Sequence, residues 1–238
     1  MEKTITITID NEEVKARPGQ TILDAADEAG IYIPRLCYFK DLKPHGSCRV
    51  CTVMVNGRPQ SACTQPVAEG MMVENNTPAL QEHRRSLVDM LFVEGNHFCM
   101  VCEKSGNCEL QALAYRLSIC VPRHPFLFPQ REIDATHPDI FIDRNRCVLC
   151  GRCVEASQDI DGKGVFEFVG RGMQKQVAVN AEANLGDTNA AVTDKAMEVC
   201  PVGAILKKRV GYATPVGMRK YDKTPIGSEI EHRVESRE

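Results

Sequence analysis

Residues 4–9, Thr-Ile-Thr-Ile-Thr-Ile, alternate polar and apolar without a break. A period of two predicts a half-buried strand with Ile5, Ile7 and Ile9 on one face. The turn residues Asp10-Asn11 then let Val14 to Arg17 return as a second strand. From Thr21 to Ala29 the pattern turns helical. Thr21 and Asp24 resemble a capping box, Ile22, Ala25, Ala26 and Ala29 share a face, and Gly30 is a stop. Val50 to Val55, Asn56-Gly57 and the residues from Arg58 onward predict a hairpin on a tight turn. Two strands, a helix and a second hairpin add up to a small β-grasp sheet wrapped on one helix.

The helical period takes over at residues 77–95, with Thr77 as cap, Pro78 in the first helical position, Leu80, Leu87, Val88 and Leu91 on one side, and Gly95 at the end. A second helix is predicted over Glu109 to Leu117. Residues 121–138 hold four prolines and read as a connector. A third module begins with the strand Ile-Phe-Ile-Asp at Ile140, followed by strands at Val165 to Val169 and Gln176 to Val179 and a helix before Cys200. From Gly211 the chain is poor in apolar residues and is expected to be an extended tail. The fold class is therefore α+β, with a β-grasp module over 1–78, a helical segment over 79–121, a connector over 122–138, an α+β module over 139–210 and the tail over 211–238.

Composition changes this picture at one point, the cysteines. Lys plus Arg is 29 and Asp plus Glu is 32 in 238 residues, a formal charge of −3, which points to no nucleic acid and no anionic membrane as partner. The alternating N-terminus does not read as a signal peptide, and no apolar run approaches the ~18 residues of a membrane span. The chain reads as cytoplasmic, where thiols stay reduced, so its twelve cysteines point to metal and not to disulfides.

The cysteines fall into three sets. Cys37, Cys48, Cys51 and Cys63 have the spacing C-x10-C-x2-C-x11-C. Four thiolates suit a [2Fe–2S] cluster or a tetrahedral zinc ion. Gly46 and Ser47 before Cys48 favour iron, because small residues let backbone N–H groups approach negatively charged sulfides. Cys99, Cys102 and Cys108 form the second set and lack a fourth ligand. His97, two residues before Cys99, is the expected one, since a neutral imidazole can bind iron. Cys120 is the rival. Cys147, Cys150 and Cys153 open the third set at x2 spacing, but Ser157 stands where a fourth cysteine would close the run. Cys200, in Cys-Pro-Val-Gly-Ala-Ile, has the converse problem, with Ala190, Thr193 and Ala196 in the three preceding ligand positions.

In two-cluster ferredoxins the last cysteine of each run ligates the other cluster. That rule makes Cys147, Cys150, Cys153 and Cys200 one complete [4Fe–4S] set. Ser157, Ala190, Thr193 and Ala196 then mark a second cluster lost as a unit. Eleven cysteines and one histidine thus account for one [2Fe–2S] and two [4Fe–4S] clusters. Cys120 is left over and is expected to be a buried small hydrophobe.

Three such sets in this order resemble the N-terminal region of the large iron–sulfur subunit of respiratory complex I, and the accessory domains of iron-only hydrogenases and of some NAD-linked formate dehydrogenases. In the complex I pattern the histidine stands four residues before the first cysteine, where this chain has Gly95. With Gly-Asn-His-Phe-Cys and the segment Arg209 to Tyr221, the chain looks most like the small diaphorase iron–sulfur subunit of cytoplasmic NAD-reducing [NiFe] hydrogenases. The resemblance implies a flavin- and NAD-binding diaphorase partner and hydrogenase small and large subunits, with FMN, NAD and the Ni–Fe centre on those partners. It implies an electron relay, and the chain has no G-x-G-x-x-G, P-loop or further cysteine pair for two-electron chemistry. The same subunit of an NAD-dependent formate dehydrogenase and a zinc-stabilised scaffold are the alternatives. The basic residues Lys207, Lys208, Arg209, Arg219, Lys220 and Lys223 would either dock a partner or lie solvated. An ordered docking arm predicts that deleting residues 211–238 breaks assembly and spares the iron.

Overall fold

Strands β1 (Ile5–Ile9) and β2 (Glu12–Ala16) form the expected hairpin. Its turn uses Asp10 and Asn11 at φ 48° and 73°, a region that Asp and Asn enter more readily than other side chains. Pairing runs down to Ile9 opposite Glu12, so β2 begins two residues before the expected Val14. Helix α1 (Ile22–Glu28) is capped by Thr21, whose Oγ1 accepts from the Asp24 N–H at 3.1 Å and donates to Asp24 Oδ2 at 2.6 Å. It buries Ile22, Leu23, Ala25 and Ala26 against Ile7, Ile9, Val53 and Val73. The structure, a computed structural model, describes residues 4–231.

Strands β3 (Thr52–Val55) and β4 (Arg58–Ser61) turn at Asn56 and Gly57 with φ 48° and 78°, the conformation that a two-residue hairpin requires. Sequence pattern misses β5 (Met72–Glu74), which lies parallel to β1 and antiparallel to β3 and completes the order β2-β1-β5-β3-β4. Three residues with one buried valine carry no periodic signal; long-range pairing makes them a strand.

Helix α2 (Pro78–Glu94) starts where Thr77 Oγ1 accepts from the Leu80 N–H and ends at Gly95. Leu80 and Val88 are buried, whereas Leu87 and Leu91 are only partly so. Helix α3 (Glu109–Arg116) follows the second cysteine set. The connector carries β6 (Ile133–Asp134), which pairs with β7 (Ile140–Asp143), the centre of a three-stranded antiparallel sheet closed by β10 (Ile205–Lys207). Between them lie α4 (Arg152–Glu155), continued by a wider π turn through Ile160, the hairpin β8 (Phe166–Val169) and β9 (Gln176–Val179), and α5 (Lys195–Glu198), a single turn before Cys200.

The segment from Gly211 is not an extended tail. It folds back over the chain and ends in α6 (Ser228–Glu231), with Ile226 and Ile230 in the core shared by α3 and the third module. Arg116 donates to the Ile226 carbonyl at 2.8 Å and pairs with Glu231. At Gly227, φ 95°, a Cβ would run into the Tyr32 ring. The same segment lies on the second cysteine loop: Tyr221 N–H donates to the Gly106 carbonyl at 2.9 Å, Lys220 N–H to Asn107 Oδ1 at 2.9 Å and Tyr212 Oη to the Val101 carbonyl at 2.6 Å. Two isoleucines four apart are too sparse to read as a core stripe, and bonds to backbone carbonyls leave no mark in sequence. Much of the basic stretch is engaged within the chain. Lys208 donates to the Ala135 and His137 carbonyls, Arg209 pairs with Asp139, and Arg219 pairs with Asp222 and bonds the Ser105 carbonyl. Residues 232–238 of the expected tail lie outside the described residues.

Deleting residues 211–238 should therefore strip iron from the second cysteine set, against the sequence expectation. Iron per chain should fall by about four atoms, as measured by metal analysis of the truncated complex. Full iron in a truncated chain that no longer assembles would restore the docking-arm reading.

Candidate metal centres

The first set takes Cys37, Cys48 and Cys51 from the loop between α1 and β3 and Cys63 from the turn after β4. Cys37, Cys51 and Cys63 are buried and Cys48 is partly exposed. The Cys37 N–H points at Cys48 Sγ, 3.4 Å away. Contacts with Cys48 and Cys63 hold the Cys37 thiol far below its ordinary range, and the contact with Cys63 brings Cys51 to about 7. The Cys37 contact pushes both Cys48 and Cys63 up. Gly46 takes φ 64°, and a Cβ there would lie 3.2 Å from Thr64 Cγ2, so the loop passes close over the Cys63 segment only because this residue is glycine. Arg49 follows at φ 58°.

The second set lies on the loop from His97 to the start of α3. A short 3-10 turn holds Cys99, and Cys108 is the residue before α3. Gln111 Oε1 accepts the Gly106 N–H at 2.7 Å and shapes the loop. Burial pushes Cys108 up to about 12 and also raises Cys99. Burial lowers His97 to about 4, so its imidazole is neutral at pH 7. One of its ring nitrogens bonds the Leu91 backbone, and Nε2 is buried with no partner. By elimination the Leu91 bond falls to Nδ1. That leaves Nε2 as a free acceptor, with the other nitrogen oriented by a backbone carbonyl, as metal-binding histidines are. Gly95 accounts for the shifted spacing. A Cβ there would stand 2.6 Å from His97 Nε2, so the ring from position 97 fills the space beside position 95. Cys120 is exposed, not the buried hydrophobe expected, because Ser118 at φ 57° turns the chain outward after Leu117.

The third set surrounds one pocket, lined by Cys147, Cys150, Cys153 and Cys200 together with Val148, Gly151, Ile142, Val177, Val202, Ala204 and Ile205. No oxygen- or nitrogen-bearing side chain lines it. Burial pushes Cys147 up to about 11 and drives Cys150 and Cys153 higher. In this apolar pocket Cys147, Cys150 and Cys153 can ionise only beside compensating positive charge, which iron would supply. The positions of the lost cluster do not share such a space. Ser157 Oγ accepts the Val165 N–H at 2.8 Å, the Ala190 carbonyl meets His137 Nε2 at 3.1 Å, and Thr193 is exposed.

The second and third sets are neighbours. A Cβ on Gly203 would stand 2.8 Å from Cys102 Sγ, and Arg146 Nη1 lies 3.7 Å from the same sulfur while bonding Glu103 at 2.7 Å. Glu109 N–H donates to the Pro201 carbonyl at 2.8 Å. Sequence reasoning passed over Arg146, Arg152 and Gly203; each stands beside a cysteine or in the Cys-Pro motif, and that adjacency was the available signal. Among the described residues no three His, Cys, Asp or Glu side chains converge as they would on a single ion. None of the described helices is long and apolar enough to cross a membrane.

Models of known families match along the chain. Residues 2–78 match a 2Fe-2S iron-sulfur cluster binding domain, 84–123 the NADH-ubiquinone oxidoreductase-G iron-sulfur binding region, and 140–206 a 4Fe-4S single cluster domain. The chain is 45% identical over 223 residues to the gamma chain of the NAD-reducing hydrogenase HoxS of Cupriavidus necator, covering 92% of this chain and 94% of that one. It is 31% identical to the mitochondrial NADH-ubiquinone oxidoreductase 78 kDa subunit of Candida albicans over 98% of its own length, but spans only 33% of that protein. A chain in a crystal structure of an NAD+-reducing [NiFe]-hydrogenase in the H2-reduced state shares its shape with TM-score 0.91 at 46% identity, covering 94% of this chain and 95% of the other. Three iron–sulfur modules in one order, matched nearly end to end in sequence and shape, show that the chain belongs to the family of the gamma chain of NAD-reducing hydrogenases.

Proposed function

We propose that this chain is the electron-transfer subunit of a cytoplasmic H2:NAD+ oxidoreductase, set between a [NiFe] hydrogenase module and a flavin- and NAD-binding diaphorase subunit. The observation that carries the reading is the near-complete likeness, in sequence and shape, to one subunit of such a complex. Cys37, Cys48, Cys51 and Cys63 would hold a [2Fe–2S] cluster. His97 with Cys99, Cys102 and Cys108, and Cys147 with Cys150, Cys153 and Cys200, would each hold a [4Fe–4S] cluster. When bound, these groups supply one-electron transfer, so hydride and hydrogen chemistry falls to the partner subunits and this chain converts no substrate itself.

The protein's own part is to hold charge and exclude water. The apolar walls of the third pocket keep water from its sulfurs, and the Leu91 backbone orients the His97 ring. Arg146 places a cation near Cys102.

Metal analysis of the purified complex should give about ten iron atoms per chain, no zinc, and nickel on co-purifying subunits. Zinc in place of iron would end the electron-transfer reading, and molybdenum or tungsten in place of nickel would transfer it to a formate dehydrogenase. His97→Ala should abolish one [4Fe–4S] signal and Cys120→Ala should leave it intact. The reverse pattern would make Cys120 the ligand.

A further inference from the structure

Arg152 has a side chain only 2% exposed. Its guanidinium forms a two-point pair with Glu109, Nη1 to Oε1 at 2.8 Å and Nη2 to Oε2 at 2.7 Å. Nη1 also donates to the Val199 carbonyl at 3.2 Å, and Nη2 to the Tyr38 carbonyl at 2.7 Å. The positions of these partners are informative. Tyr38 follows Cys37, Glu109 follows Cys108, Val199 precedes Cys200, and Arg152 itself precedes Cys153. A single planar group thus reaches the immediate neighbour of a cysteine in each of the three sets. The rigid fork of arginine suits this task, and lysine, a point charge, could not make the four bonds in one plane.

Four of the five guanidinium N–H groups are used in this way. The fifth, on Nε, is buried and has no partner. The guanidinium faces the Phe39 ring, with Cζ 5.4 Å from its centroid, and beyond Glu109 the Cys150 and Cys200 thiols act on it electrostatically. Arg152 is in turn the strongest charge acting on Cys150.

We propose that Arg152 is a positioning residue for electron transfer: it locks the three cysteine sets into one frame and sets a buried cation beside the cluster held by Cys147, Cys150, Cys153 and Cys200, raising that cluster's potential. The inference rests on the iron–sulfur reading above. A reduced cluster carries one more negative charge than an oxidised one, so a buried cation beside it favours reduction.

The test uses the whole complex with Arg152→Gln and Arg152→Lys. Iron content comes first, and a wild-type complex without iron would sink the iron–sulfur reading itself. Given iron, redox titration followed by electron paramagnetic resonance reads the signal that Cys200→Ala removes. Arg152→Gln should lower the reduced-to-oxidised ratio of that cluster about tenfold at fixed poise, or about 59 mV for one electron. Arg152→Lys, which keeps the charge, should recover most of the shift. An unchanged potential in the Gln variant, or equal shifts in both, would overturn the proposal. Should the Gln variant lose its iron, Glu109→Gln decides: relieving Arg152 of its carboxylate partner should raise that cluster's reduced-to-oxidised ratio, and an unchanged ratio refutes the proposal.

Discussion

Replacing Cys153 and Cys200 together by alanine should lower the iron content from about ten to about six atoms per chain, with the [2Fe–2S] signal retained. The two residues come from arms far apart in sequence and line the same pocket. Removing one thiol from each arm leaves two, too few to hold a cubane against loss of its iron. No other side chain can step in, because the rest of the lining is Ile, Val, Ala and Gly. The informative comparison is Ser157→Ala. Ser157 stands where an uninterrupted run would have its fourth ligand, but its Oγ accepts the Val165 N–H and is buried. Its loss should cost roughly the 1–2 kcal/mol of one hydrogen bond and no iron. Iron loss in Ser157→Ala equal to that of the double variant would refute the crossed assignment.

Arg84→Met should be the most destabilising single change outside the cysteines. Arg84 on α2 is fully buried and donates to the Val50 carbonyl at 3.2 Å, the Thr52 carbonyl at 3.0 Å, the Asn75 carbonyl at 2.8 Å and Asn75 Oδ1 at 2.7 Å. These bonds clamp the helical segment to the loop and strand on either side of Cys51. Burial lowers the Arg84 pKa to about 10, still well above neutrality, so the cation stays charged and its donors stay strong. Methionine fills much of the same volume but orphans three buried carbonyls. Charged hydrogen bonds contribute about 1.5–3 kcal/mol each and are not additive, so a total near 4 kcal/mol is expected. For a chain of this size that corresponds to a thermal midpoint lower by roughly 10 °C, read by calorimetry of the complex. A shift within about 2 °C would show that water or neighbouring groups take over the carbonyls. Arg84→Lys should recover part of the loss, since one ammonium meets only some of the acceptors.

Both predictions start from side chains whose importance the sequence reveals unequally. Cys200 stood out because Cys-Pro is recognisable and because three thiols elsewhere lacked a fourth. Arg84 did not, since a polar residue on an amphipathic helix is read as solvated. The same holds for Arg152. It is visible in Cys-Gly-Arg-Cys, but nothing local says that its fork reaches past Tyr38, Glu109 and Val199. The tail was misread for a related reason, as its attachments run through backbone groups of Val101, Ser105 and Gly106. Cys120 was misplaced because a single left-handed residue, Ser118, decides its exposure.

Local pattern was enough for several features set within a few residues. The alternation of β1, the Thr21 and Thr77 caps and the Asn56-Gly57 turn all appear in the structure where the sequence put them. Each depends on φ and ψ preferences or on side chains reaching no further than the next turn. It took the folded chain to bring β5 into the sheet, to wrap residues 211–231 on the second cysteine loop, and to tie modules together through Arg84 and Arg152. These features rest on long-range bonds whose acceptors are largely backbone carbonyls. Every residue carries that group, so it has no signature in sequence and is selected only once the fold brings it within reach.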